Sequence, residues 1–174
     1  PKPDPKNQGE LVLIYQQGWA PRKYPHPSWP RIPKLYHTPS QTQFARLIIN
    51  DKPSLSSEVV SSLEEIAIKT LDDAYAGLIA KRAAGIATEA VVSEQIRNKN
   101  KLLGEIAWIG MNLADRADLR QWVTLPQTFQ LAKVWLPSGE YKVYAEGLNS
   151  SALPTGERSE VFKIHIKSGK KEFI

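Results

Sequence analysis

The chain has 174 residues, 41% of them hydrophobic and 24% charged, with no cysteine and a formal net charge of +5. That length suits one domain able to bury a core without staples, and the composition is that of a globular protein rather than a disordered or membrane-spanning one. The missing cysteines exclude disulfides, thiolate metal sites and cysteine nucleophiles.

Residues Pro1 to Glu10 are rich in proline and lysine and are expected to form a linker or extended arm. The start at Pro1 without a methionine reads as a processing boundary. Leu11 to Tyr15 is a short continuous apolar run, the pattern of a strand buried on both faces. From Trp19 to Pro39 the chain carries Pro21, Pro25, Pro27, Pro30, Pro33 and Pro39, which forbid a helix and confine any strand to short pieces. An extended loop is predicted there, bearing Trp19, Tyr24, Trp29 and Tyr36. Gln43 to Ile49 is a strand ended by turn chemistry at Asn50 and Asp51.

A helical stripe follows. Leu63, Ile66, Ala67, Leu71, Ala74, Tyr75, Leu78, Ile79 and Ile86 recur at three- and four-residue spacing and predict a core-facing side, with Glu64, Glu65, Asp72 and Asp73 off it. Ser62 and Glu65 have capping-box spacing, although the helix could start as early as Ser54. Ala76, Ala80 and Ala84, beside Gly77 and Gly85, form a second face open to close approach by another backbone. Leu102 to about Ala114, with Gly104, Trp108 and Gly110, gives a second apolar helix, so a helical hairpin over about 54–116 is expected. Strands return in Thr128 to Leu136 and, after a turn at Pro137 to Gly139, in alternating Tyr141, Val143 and Ala145. Residues 148–158 read as a loop, Phe162, Ile164 and Ile166 as a strand with one wet face, and Ser168–Gly169 as a turn into a last short strand ending at Ile174. The fold class expected is α+β: a mainly antiparallel sheet or sandwich of N- and C-terminal strands, in one domain over 11–174, with the helical hairpin inserted.

The signatures of catalysis are sparse. His26, His37 and His165 lie in unrelated contexts with no second ligand at metal spacing, and no phosphate-cradling loop, dinucleotide glycine fingerprint or nucleophile elbow occurs. Glu64, Glu65, Asp72 and Asp73 are the one carboxylate group that would serve a glycoside hydrolase, but the stripe puts them on a wet helix face. No cofactor and no metal are therefore expected. The lysines are spread along the chain, with the densest run at Lys167 to Lys171 read as a solvated face, so nucleic acid is not expected as a partner. The aromatic segment carries the interaction candidates Trp19, Tyr24, Trp29 and Tyr36, since rings on a prolyl backbone bury much area at low entropic cost; the competing reading is that the segment wraps its own domain.

The stretch Ala117, Asp118, Leu119, Arg120, Gln121, Trp122, Val123, Thr124, Leu125, Pro126, followed by Gln130 to Ala132 and Leu136 to Gly139, resembles the C-terminal half of a family of bacterial envelope lipoproteins with no established activity and a tetratricopeptide-like N-terminal half. Gly9 to Val12 and Gly18 to Lys23 fit the same resemblance. It implies a lipidated cysteine upstream of Pro1, a periplasmic location at the outer membrane, membrane contact only through that anchor, and other envelope lipoproteins as partners, some related to curli-type secretion pores, in a multi-subunit assembly. The signature residues Asp118, Leu119, Arg120, Trp122, Leu125 and Pro126 also admit a structural account, with Arg120 satisfying helix-terminal carbonyls and Trp122 plugging a helix–sheet junction. The function expected is that of a non-catalytic protein-interaction module. The alternatives are a domain binding an envelope polymer such as peptidoglycan and an unrecognised hydrolase.

Overall fold

Alternating apolar positions in the N- and C-terminal thirds of the chain build two sheets that share one core. The computed structural model describes residues 4, 6–99, 101, 102, 105 and 117–174, with the side chains of Trp29, Arg82 and Lys99 outside that description. The chain divides into two compact units, one made of residues up to Ala20, Thr38–Glu64 and Val123–Ile174, the other of Pro21–His37 and Glu65–Trp122.

In the first unit, one sheet contains β1 (Gln8–Gln17), β6 (Glu58–Ser62), β7 (Thr128–Pro137) and β11 (Lys171–Phe173), in the order β11-β1-β7-β6. β1 and β7 pair antiparallel over their whole length, from Gln8 opposite Pro137 to Gln17 opposite Thr128, while β11 runs parallel to β1. The other sheet contains β4 (Phe44–Ile49), β5 (Lys52–Ser56), β8 (Gly139–Leu148) and β10 (Phe162–Ile166) in the order β10-β8-β4-β5, with β9 (Pro154–Arg158) also paired to β8. Leu11, Leu13 and Ala132 from the first sheet meet Ala45, Leu47, Val143 and Ile166 from the second, each at most 5% exposed. The period of two puts these side chains inward, and burying them against a second sheet is what makes either sheet stable.

At one end the core turns polar without leaving its amides unpaired. Gln17 and Gln130, 2% and 0% exposed, anchor the connections. Gln17 Nε2 donates to Thr42 O, Gln130 Nε2 to Gln43 O, and Ser57 Oγ to Gln130 Oε1, while Ser57 Oγ accepts from Ala45 N. Ser57 sits where the chain leaves β5 of one sheet for β6 of the other, so this hydroxyl satisfies backbone at the corner.

The α+β class expected from the sequence is the class observed, and the positions of β1, β4, β7, β8, β10 and β11 follow the apolar patterns. Several local expectations are corrected. Gln8, Gly9 and Glu10 belong to β1 rather than to a linker, with Glu10 buried and ion-paired to Lys171. Both-face burial holds for Leu11 to Leu13, but Ile14 is 46% exposed. Residues 154–158, read as loop, form β9. The turn after β4 is built from Asn50 and Asp51, both at positive φ (47° and 60°), the geometry of a primed hairpin turn that short polar side chains tolerate.

The second unit holds the ribbon of β2 (Arg22–His26) and β3 (Trp29–Tyr36) and nearly all of α1 (Leu63–Lys99). A loop was expected over the prolines; a two-stranded ribbon forms instead. Both strands of such a ribbon are edges, where a missing N–H costs little, and Pro25 stands opposite Pro33, so two missing donors share one rung. The helix begins at Leu63, directly after Ser62, and not at Ser54, because residues 52–62 are taken by β5 and β6. Its stripe is corrected as well. Ala67, Ile68, Leu71, Tyr75 and Leu78 are half-buried, whereas Ile66 and Ile79 are exposed, and no apolar residue of α1 is fully buried among the described residues. The off-stripe Glu64, expected to be wet, is 5% exposed. Gly104, Trp108 and Gly110 of the expected second helix, and with them most of the expected hairpin, lie outside the described residues.

Candidate functional site

The ribbon carries the most organised aromatic surface of the second unit. Arg22 pairs with Tyr36 and Tyr24 with Lys34 across the two strands, which places Tyr24 and Tyr36 as diagonal neighbours on one face. Their rings meet edge to face, centroids 5.8 Å apart and planes at 77°, and Lys34 Nζ lies 5.7 Å from the Tyr36 centroid. Tyr24 remains 51% exposed and Tyr36 37%. An edge-to-face pair fixes both rings without covering their outer faces, so the apolar area is presented already ordered.

The opposite side of the ribbon is held down. Ile32 is 2% exposed. The Tyr75 hydroxyl of α1 donates to Pro33 O at 2.9 Å, and the Tyr75 ring lies 5.8 Å from that of His26. Burial, then Asp72 and then Tyr36, pushes the Tyr75 phenol above its usual range, which keeps the hydroxyl a donor. At the turn, Ser28 N donates to His26 Nδ1. Proline fixes φ along both strands, so little backbone entropy is left for a partner to remove.

Of the four sequence candidates, the structure brings Tyr24 and Tyr36 together and assigns Trp19 elsewhere, to the first unit, where it is 56% exposed. The side chain of Trp29 lies outside the described residues. Sequence reasoning missed Lys23 and Gln121. Lys23 N donates to Gln121 Oε1 at 2.5 Å and Lys23 Nζ to Arg120 O at 3.1 Å, so the stretch before β7 satisfies donors of β2. An amide at position 121 has no signal in periodicity that would have suggested this.

Arg120 makes a two-pronged ion pair with Asp118, Nε to Oδ1 at 3.0 Å and an Nη to Oδ2 at 2.9 Å, and the helix carbonyls it was expected to close lie outside the described residues. Trp122 is 71% exposed, whereas Pro126 is buried and Leu125 half-buried in the first unit. The Asp118 carboxyl is held well below the usual carboxylate range, first by the Arg120 side-chain bonds and then by the Arg120 N–H. Leu119 is 39% exposed beside them.

Glu64 is consumed by hydrogen bonds, its Oε2 accepting from Gln127 Nε2 and its Oε1 from Thr38 N, while Asp72 and Asp73 are exposed on α1. Among the described residues no group of three His, Cys, Asp or Glu side chains gathers at metal-binding distance, and no helix is long and apolar enough to cross a membrane. Set against family models, curated proteins and solved structures, the chain has no significant match in any of the three comparisons.

Proposed function

We propose that this chain is a non-catalytic protein-interaction module whose contact face is the Tyr24–Tyr36 side of the β2–β3 ribbon. The observation that carries the reading is the pre-ordered, exposed tyrosine pair, locked edge to face on a proline-stiffened ribbon whose other side is tied to Tyr75. Rigid aromatic anchors that keep their area in water are the side chains from which interface energy is built, because desolvating them repays more than the small entropy they lose. Lys34 beside Tyr36 adds a cation at the rim, suited to a partner with carboxylates around an apolar contact.

The cell-envelope setting, a lipid tether upstream and envelope lipoproteins as partners are supported by the resemblance of the Asp118 to Pro126 run. The experiment compares capture by the wild-type chain and by a Tyr24→Ala, Tyr36→Ala double variant from solubilised envelope membranes. A partner retained by the first and lost by the second, with matching circular dichroism, supports the reading. Equal capture by both overturns it.

A further inference from the structure

Trp19 lines a cleft within the first unit. The cleft encloses about 530 Å³, within the roughly 300–1,000 Å³ range of small-ligand sites. Its wall combines the exposed indole of Trp19 and the half-buried ring of Tyr15 with the amides of Gln16 and Gln41, the hydroxyl of Thr124 and the carboxylate of Glu157. No lysine or arginine lines it among the described residues.

Two of these groups are fixed in place. Glu157 Oε2 accepts from Thr42 Oγ1 at 2.6 Å, and that hydroxyl is also 2.7 Å from Thr155 Oγ1. Thr42 is itself buried, with its carbonyl accepting from the buried Gln17 amide, so one oxygen of the exposed Glu157 carboxylate is anchored to the core. Tyr15 lies on β1, paired to Gln130, which fixes it at the cleft wall. Burial and then Glu157 raise the Tyr15 phenol above its usual range, so it remains a donor beside an acceptor.

We infer that this cleft binds a neutral pyranose saccharide. A pyranose has two chemically different surfaces: C–H faces that pack on an aromatic ring, and a rim of hydroxyls, each both donor and acceptor. Trp19 answers the first, and amides, a phenol and a carboxylate answer the second. The charge selects among sugars. Glu157, with no lysine or arginine among the described residues lining this cleft, repels phosphorylated and carboxylated sugars and accepts from neutral hydroxyls, while Gln16 and Gln41 can both donate to and accept from an N-acetyl group. A purely apolar ligand would strip water from the Glu157 carboxylate without satisfying the acceptor sites that Thr42 leaves open. This site stands independently of the tyrosine ribbon.

The test is a titration of the isotope-labelled chain with chitotriose, cellotriose and maltotriose into the millimolar range, followed by nuclear magnetic resonance. Saturable shifts of the Trp19 indole N–H and the Gln41 side-chain amide are expected with at least one of the three. Trp19→Ala should weaken that binding about tenfold or more, and Gln16→Ala about threefold, while the Tyr24→Ala, Tyr36→Ala double variant binds as the wild type does. Should Trp19→Ala fail to fold, Gln16→Ala and Gln41→Ala carry the test, since neither side chain makes a hydrogen bond to another side chain or to backbone among the described residues. Silence of the Trp19 indole towards all three sugars, or binding undiminished by the cleft variants, overturns the inference.

Discussion

Glu64 and Gln127 hold each other twice: the Gln127 side-chain amide donates to Glu64 Oε2 at 2.5 Å, and the Glu64 backbone N–H donates to Gln127 O at 3.2 Å. The pair belongs to a larger clasp in the first unit. Thr38 N donates to Glu64 Oε1, Thr38 Oγ1 to Ala20 O, Ala20 N to Leu125 O and Gln127 N to Gln17 O. These residues stand at the four places where the chain passes from one compact unit to the other, near 20, 38, 64 and 123. Four chain crossings are thus tied together by one buried carboxylate and the backbone groups around it.

Removing that carboxylate should therefore loosen the first unit more than an ordinary helix-terminus change. Glu64→Ala leaves the Gln127 amide and the Thr38 N–H without their acceptor, and an unsatisfied buried donor costs about 1–3 kcal/mol. Glu64→Gln keeps one oxygen and should lose less. Urea denaturation of the two variants tests the order; equal stability of wild type and Glu64→Ala would show that the clasp is redundant.

The tyrosine pair should behave in the opposite way. Tyr24 and Tyr36 are exposed, and their mutual contact is worth about 0.5–1.5 kcal/mol, so the double alanine variant is expected to fold with only a modest fall in its thermal midpoint. A collapse of the ribbon on that substitution, seen as loss of the cross-strand amide signals between β2 and β3, would make the pair a structural element and remove the basis of the proposed interface.

Tyr75→Phe removes the hydrogen bond from the Tyr75 hydroxyl of α1 to the ribbon carbonyl of Pro33 and should cost about 0.5–1.5 kcal/mol. In the wild type the Tyr75 phenol is raised in the folded state, so the folded chain holds that proton more tightly than the unfolded one. The associated stability is present below the ordinary tyrosine range and falls as pH rises through the raised folded value. Ultraviolet titration should find two tyrosinates forming late in the wild type, those of Tyr15 and Tyr75, and one fewer in Tyr75→Phe.

Asp118 gives a pH prediction of the other sign. Its folded pKa is depressed by Arg120, so the pair contributes above the ordinary carboxylate range and is lost as pH falls through the depressed value. Both side chains are exposed, Arg120 at 92%, so solvent screens the pair and global stability should scarcely register it. The readout is local: the Asp118 carboxyl carbon should titrate late in acid, and Arg120→Ala should return it towards ordinary carboxylate behaviour.

What was legible in the sequence divides by physical cause. Strand alternation in Tyr141, Val143 and Ala145, and in Ile164 and Ile166, located β8 and β10 because a two-residue period has one interpretation when one face is buried. Proline content misled at 22–36, since the rule against proline in strands applies to central strands and this ribbon has none. The three- and four-residue spacing found α1 but not its depth of burial, because periodicity reports which face is apolar and not how far anything covers it. The two aromatic sites were read as one, since Trp19 and Tyr24 are five residues apart in sequence and the crossing at 20–21 that assigns them to different units has no local signature.

Gly9 supplies the last prediction, and it concerns the arm that proved to be a strand. A side chain at position 9 would place its first carbon against two backbone carbonyls, those of Lys167 and Lys170, and against the Ile166 methyl. Neither carbonyl can move freely. Gly169 N donates to Gln8 O and Glu10 N donates to Lys170 O, so the turn between β10 and β11 is bonded to β1 on either side of Gly9. Gly9→Ala must then push the turn away and strain both bonds, and overpacking of this kind costs about 1–3 kcal/mol. Hydrogen exchange should show the loss first in β11 and in the amide of Glu10, with β4 and β8 protected as before. Unchanged protection of β11 in Gly9→Ala would mean that the turn yields without cost and that β1 does not depend on this close approach.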